Sequence, residues 1–199
     1  GGCAIGTRPV DLHLYALKRL GARIKIKNGY IVADTEHGLK GANITFPSVS
    51  VGATENAILA AFYADGKTII RNCAIEPEVK DLIRFLNKLG GQIKITGRKI
   101  IIRGCKQIKK KITHEIIFDR IELGTYMIAA ALIGKKIIIQ KVDPTIIKKE
   151  IDILKKMGVR LRISKTSIEI LKSIFIKKIN VSTSPYPGFP TDLQAQLMV

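Results

Sequence analysis

The chain has 199 residues, 46% of them apolar and none of them Trp, enough for one large domain or parts of two around a core of Ile, Leu, Val and Ala. Its 34 Lys and Arg against 16 Asp and Glu give a formal net charge of +18, a balance that favours anionic partners. The lysines are spread over every segment instead of clustering in one arm, which argues against a nucleic-acid footprint, and no apolar stretch is long enough to span a bilayer.

The chain opens on Gly1-Gly2-Cys3-Ala4-Ile5-Gly6-Thr7-Arg8-Pro9-Val10-Asp11-Leu12-His13. A cysteine sits in a loop with three glycines, which let the backbone approach a ligand closely. Arg8 follows five residues later, and a helix is predicted over 8–20. The three cysteines Cys3, Cys73 and Cys105 have neither a disulfide framework nor zinc-ligand spacing. They read as reduced thiols of a reducing, cytoplasmic compartment, with Cys73 and Cys105, just past predicted strand ends, as structural. No charged-then-apolar leader is visible, and no metal or cofactor site is predicted.

An internal repeat organises the rest. Leu17-Lys18-Arg19-Leu20-Gly21-Ala22-Arg23-Ile24 recurs as Leu86-Asn87-Lys88-Leu89-Gly90-Gly91-Gln92-Ile93 and as Leu154-Lys155-Lys156-Met157-Gly158-Val159-Arg160-Leu161. The glycines are spaced 69 and 68 apart (21 to 90, 90 to 158), and Pro9 to Pro77 and Gly66 to Gly134 keep the 68-residue step.

The middle unit predicts a strand over 42–46, a buried helix over 54–64 and a β-branched strand over 68–71. An amphipathic helix over 77–89 follows, with Pro77 in its first turn and Gly90 beyond its end. A hairpin over 92–96 and 99–103 closes the unit. The next unit repeats the order: strand 115–118, helix 120–133, strand 136–140, helix 144–157 and hairpin 160–164 with 167–171. A third opens with a strand over 178–182 and a helix from Asp192. The fold class is α/β, built of βαβαββ units. Both ends cut through a unit, so the sequence reads as an internal fragment of a longer protein.

Five stretches resemble the UDP-N-acetylglucosamine 1-carboxyvinyltransferase family of enolpyruvyl transferases. They are the Cys3 loop, Ser50-Val51-Gly52-Ala53-Thr54-Glu55-Asn56, Glu76-Pro77-Glu78, Asp119-Arg120-Ile121-Glu122-Leu123-Gly124-Thr125 and Tyr186-Pro187-Gly188-Phe189-Pro190-Thr191-Asp192-Leu193-Gln194-Ala195-Gln196. The resemblance covers essentially the whole chain, in order and with matching spacing. It implies two inside-out α/β barrels, each of three βαβαββ units, of which this chain would hold the C-terminal part of the first domain (1–115) and the N-terminal part of the second (116–199).

The resemblance also implies a reaction in peptidoglycan synthesis. The enolpyruvyl group of phosphoenolpyruvate moves to the 3′-hydroxyl of UDP-N-acetylglucosamine through a tetrahedral ketal, and phosphate leaves. Such a path needs a base, an acid and cations for the anionic donor. Cys3 resembles the family's general acid, Arg8 its ligand for the donor phosphate, and Asp192 its general base. Pro9, Val10, Asp11, Leu12 and His13, with Ser48, Val49, Ser50, Val51 and Gly52, correspond to the sugar-nucleotide site, where helix-start N–H groups suit diphosphate oxygens. Ser48 stands where the family often carries a basic residue. Glu76, Glu78, Asp119 and Arg120 correspond to supporting charged positions. The family's donor-binding lysine and asparagine precede Gly1, so residues 1–199 alone are expected to be inactive.

Taken singly, these residues have plainer readings. Ser50 reads as an ordinary helix cap, and Asp192, after Pro190-Thr191, as an N-cap. Two other functions compete: a 3-phosphoshikimate 1-carboxyvinyltransferase-like enzyme, and a basic nucleic-acid-binding repeat protein. The Cys3 loop and the Pro187–Gln196 stretch argue against the first. The second expects clustered basic residues and stacking aromatics, and the sequence has neither.

Overall fold

A computed structural model describes every residue except Gly1, Ala4, Ile5, Arg8, Lys106, Lys109, Lys110 and Lys135, and the backbone alone of Gly2, Cys3, Gly6 and Thr7. The chain divides into two compact units, Gly1–Ile116 and Ile117–Val199.

The first unit begins with a short hairpin of β1 (Gly2–Cys3) and β2 (Gly6–Thr7), then α1 (Asp11–Arg19) and a hairpin of β3 (Arg23–Lys27) and β4 (Tyr30–Asp34). A complete βαβαββ repeat follows: β5 (Asn43–Thr45), α2 (Val51–Tyr63), β6 (Lys67–Arg71), α3 (Pro77–Lys88), β7 (Gln92–Thr96) and β8 (Lys99–Arg103). Its sheet runs β5-β6-β8-β7; β5 lies parallel to β6 and the other pairs are antiparallel. Side chains alternate across each strand, so Thr68 and Ile70 of β6 and Ile100 and Ile102 of β8 are buried while Lys67, Arg71, Lys99 and Arg103 are exposed. The buried face packs on Ala57, Ile58, Ala61 and Phe62 of α2 and Val79, Ile83 and Leu86 of α3.

The second unit carries α4 (Arg120–Ile133), β9 (Ile137–Gln140), a 3-10 turn at Pro144–Ile147, α5 (Lys148–Lys156) and a hairpin of β10 (Arg160–Ile163) and β11 (Ser167–Leu171). A second 3-10 turn, Thr191–Leu193, leads into α6 (Gln194–Met198). The antiparallel sheet runs β10-β11-β9 and covers a core of Met127, Ile147, Ile151, Leu154, Ile168 and Ile170.

The repeat glycines have one local cause. Gly21, Gly90 and Gly158 take φ of +97°, +113° and +96°, just past α1, α3 and α5. At each helix end two backbone bonds close the same motif. The glycine N–H donates to Lys18, Asn87 or Lys155, and the next N–H donates to the carbonyl of Leu17, Leu86 or Leu154. This is the Schellman arrangement, which turns the chain out of each helix and into its hairpin.

Four expected elements differ. Residues 115–118 and 178–182 form no strand, although both are rich in β-branched residues. A strand exists through a partner, and neither segment finds one among the described residues. The predicted helix over 54–64 starts earlier, at Val51, because Ser50 supplies the cap, and the one over 144–157 splits where Asp143 caps a 3-10 turn ahead of α5.

Candidate active site

The two starts of α1 and α2 meet through His13. The backbone of Cys3 pairs with Gly6 in the β1–β2 hairpin; Arg8 lies outside the described residues. Pro9 and Val10 are exposed, and Asp11 occupies the first turn of α1, where a carboxylate suits the helix dipole. Leu12 packs against the core. The half-buried His13 ring crosses to α2, with Nδ1 3.2 Å from Asn56 Nδ2. A Cβ on Gly52 would lie 3.3 Å from His13 Cε1, so the glycine leaves room for the ring.

Ser50 is indeed a cap: its Oγ accepts from the Ala53 N–H at 3.3 Å. The buried Thr54 fixes the same turn from inside. Its hydroxyl donates to the Ser50 carbonyl at 2.7 Å and accepts from the Ala74 N–H at 3.0 Å, tying the helix start to the segment after β6. Ser48 is exposed, and Val49 and Val51 pack at the core margin. The fold thus brings the His13 ring beside Gly52, in the first turn of the helix that Ser50 caps.

Glu76 is buried and accepts from the Ile75 N–H at 2.8 Å, and Glu78 stands in the first turn of α3. Burial pushes the Glu55 carboxyl up, and the charges of Glu78 and Glu76 push it further, so these three carboxylates share one neighbourhood. Cys73 is fully buried, and burial raises its thiol to about 11. That keeps it protonated and unreactive, in line with a structural part. Cys105 is also unpaired, and its Sγ lies 3.2 Å from the Gln107 carbonyl.

In the second unit, Asp119 caps α4, accepting from the N–H groups of Ile121 at 2.7 Å and Glu122 at 3.2 Å. Arg120 is buried and its guanidinium lies 5.8 Å from the centre of the Tyr186 ring. Burial raises the carboxyl of Glu150 on α5, against the pull of Arg120. Tyr186 begins a cis peptide with Pro187, in a loop closed by the Ser184 N–H to Phe189 carbonyl bond at 2.9 Å.

The loop delivers the turn that bears Asp192. Pro190, not Asp192, stands at the cap position, so the plain N-cap reading of Asp192 fails and its carboxylate is exposed within the turn. Leu193 beside it is fully buried against Gly124 of α4, where any Cβ would collide with the leucine side chain. Gln196 completes the attachment, its Nε2 donating to Thr125 Oγ1 at 3.1 Å.

His114 is held by α3. Its Nε2 lies 3.1 Å from Asp81 Oδ2, and Arg84 reaches the other carboxylate oxygen at 2.8 Å. The Phe85 ring packs edge-on at 5.4 Å, and Lys88 donates to the Thr113 carbonyl at 3.0 Å. Burial pushes the Asp81 carboxyl up, but the bonds from His114 and Arg84 outweigh it and hold the group below its ordinary range. Asn56, Thr54, Glu150 and Tyr186 are further residues that sequence patterns did not assign to the site. Thr54, Asn56 and Tyr186 gave a signal, as members of matched stretches, and Glu150 gave none. Two cavities of about 740 and 730 Å³ lie in the second unit, and neither is lined by a predicted site residue. No helix among the described residues is long and apolar enough to cross a membrane.

This arrangement can be set beside known proteins. UDP-N-acetylglucosamine 1-carboxyvinyltransferase of Pelagibacter ubique is 56% identical over 200 residues, covering all of this chain and 48% of the relative. The protein of that name from Endomicrobium trichonymphae is 49% identical over 199 residues, 47% of its length. The chain therefore spans about half the length of the curated relatives it matches. Among solved structures, the enolpyruvyl transferase NikO from Streptomyces tendae has a TM-score of 0.77 at 21% identity, over 96% of this chain and 48% of that one. EPSP synthase from Acinetobacter baumannii has a TM-score of 0.65 at 24% identity, over 99% of this chain and 46% of that one. At these identities the likeness is one of fold, the α/β enolpyruvyl-transferase type that the family resemblance implies and with which the βαβαββ repeat agrees. The family described as EPSP synthase (3-phosphoshikimate 1-carboxyvinyltransferase) matches residues 1–199, the whole chain, and the chain belongs to that family.

Proposed function

We propose that the protein to which this chain belongs transfers the enolpyruvyl group of phosphoenolpyruvate to the 3′-hydroxyl of UDP-N-acetylglucosamine, releasing phosphate. The observation that carries this reading is the identity of 56% and 49%, over the whole chain, to relatives named for that transfer. It favours the sugar nucleotide over 3-phosphoshikimate, because the likeness to EPSP synthase is only 24%.

In this reading Asp192 takes the proton of the sugar hydroxyl, and the freed oxygen attacks C2 of the donor while the Cys3 thiol protonates C3. Loss of a C3 proton and of phosphate from the tetrahedral ketal then restores the double bond. Arg8 binds the donor phosphate through its planar fork. Pro9 to His13 and Ser48 to Gly52 hold the sugar nucleotide, the unpaired N–H groups at the start of α2 facing its diphosphate. Glu76, Glu78, Asp119 and Arg120 support the site. The domains run 1–115 and 116–199, and the enzyme works in the cytoplasm, where its thiols stay reduced.

Labelling of the full-length protein with the epoxide fosfomycin, mapped by mass spectrometry, tests the role of Cys3. A thiolate there opens the epoxide and forms a thioether, so one adduct is expected on Cys3 and none in Cys3→Ser. A folded wild-type protein that takes no label at Cys3 overturns the assignment.

A further inference from the structure

His13 has two ring nitrogens, and its neighbours decide which one carries the proton. Nδ1 faces the side-chain NH₂ of Asn56 at 3.2 Å. With the amide NH₂ of Asn56 turned to the ring, Nδ1 is the accepting nitrogen, and in the neutral ring the proton then sits on Nε2. Nε2 lies beside Gly52: a Cβ there would stand 3.5 Å from it. The Ala53 and Thr54 N–H groups are taken by Ser50, through its Oγ and its carbonyl, while those of Val51 and Gly52 belong to the first turn, which has no partners within the helix. An Nε2–H adds a donor to this end of α2. The opposite tautomer would set a lone pair there instead, and repel an anion.

We propose that Asn56 is a positioning residue that fixes His13 as the Nε2–H tautomer, so that the ring donates to an anionic oxygen of the sugar nucleotide. This rests on the sugar-nucleotide role proposed for His13. Asn56 itself does not touch the ligand; it sets the sign of the group that does. The residue is half-buried on α2, one turn beyond Gly52, and its isosteric replacement by aspartate reverses the hydrogen bond. A carboxylate accepts, so in Asn56→Asp the ring proton moves to Nδ1. Asn56→Ala removes the partner without adding charge and frees both tautomers.

The test uses the full-length protein with ¹⁵N-labelled histidine. Long-range ¹H–¹⁵N spectra read which ring nitrogen is protonated, and steady-state kinetics read KM for UDP-N-acetylglucosamine. The expected result is Nε2–H in the wild type, a mixture in Asn56→Ala and Nδ1–H in Asn56→Asp. KM should rise in that order, to roughly tenfold in Asn56→Asp, with kcat within about twofold, the pattern of a lost binding interaction. A wild-type ring protonated on Nδ1 overturns the proposal. So does a KM that stays constant in Asn56→Ala while the tautomer changes, because that variant adds no repelling charge. Wild-type turnover is measured first: its absence overturns the underlying functional reading, whereas turnover with an unresponsive KM overturns the role of Asn56 alone.

Discussion

One carboxylate, Asp81, holds both His114 and Arg84, and its charge state couples stability to pH. Its folded pKa lies below the ordinary aspartate value of about 3.9, once the two bonds have outweighed burial. Its contribution is therefore complete above the unfolded pKa and is lost as pH falls through the folded one. Asp81→Asn should cost about 1–3 kcal/mol at pH 7 in urea unfolding, and the difference from wild type should shrink as the pH is lowered from about 5 towards 2. An offset that stays constant over that range would refute the pairing. This contact was illegible in the sequence: the partners are 33 residues apart, and no periodicity or motif links a lone histidine to a helix aspartate. The roles of Ser50 and Asp192 differ in the same respect. Serine ahead of a helix usually caps it, and here it does, while Asp192 looks like a cap but follows the residue that holds that place.

At the scale of the element, α4 acts as the platform for the Asp192 turn. Gly124 leaves the space that Leu193 fills. In an exposed helix, glycine to alanine gains up to about 1 kcal/mol from propensity. At this site the sign should reverse: Gly124→Ala must push Leu193 aside, with a loss of about 1–3 kcal/mol as in other overpacked cores. Because the turn carries the proposed base, kcat should fall with stability, measured by thermal melts and initial rates of the full-length protein. A more stable, fully active Gly124→Ala variant would refute the platform. The helices and hairpins themselves were legible, since each has a local cause: an apolar stripe, a proline at the start, and a glycine with positive φ at the end. The runs over 115–118 and 178–182 look like strands by composition and are not, because a strand depends on a partner, which composition does not report.

At the scale of the molecule, the repeat of 68 to 69 residues carries the architecture. The βαβαββ order is legible from that spacing and the patterns within it, and the complete copy in the first unit follows the order element by element. The binding face proposed around His13 was legible only in part. The Pro9–His13 and Ser48–Gly52 stretches came from matched motifs, but Asn56 and Thr54, which fix the geometry between them, act through contacts 43 and 20 residues apart in the chain. The net charge of +18 suits two anionic substrates, though its even spread gives it no address. The central claim is enolpyruvyl transfer to a sugar nucleotide, and its most direct test is phosphate release by the full-length protein given phosphoenolpyruvate and UDP-N-acetylglucosamine together. One phosphate should appear for each enolpyruvyl-UDP-N-acetylglucosamine detected by mass, and none when either substrate is omitted. Silence with the sugar nucleotide, together with release in the presence of 3-phosphoshikimate, would contradict it.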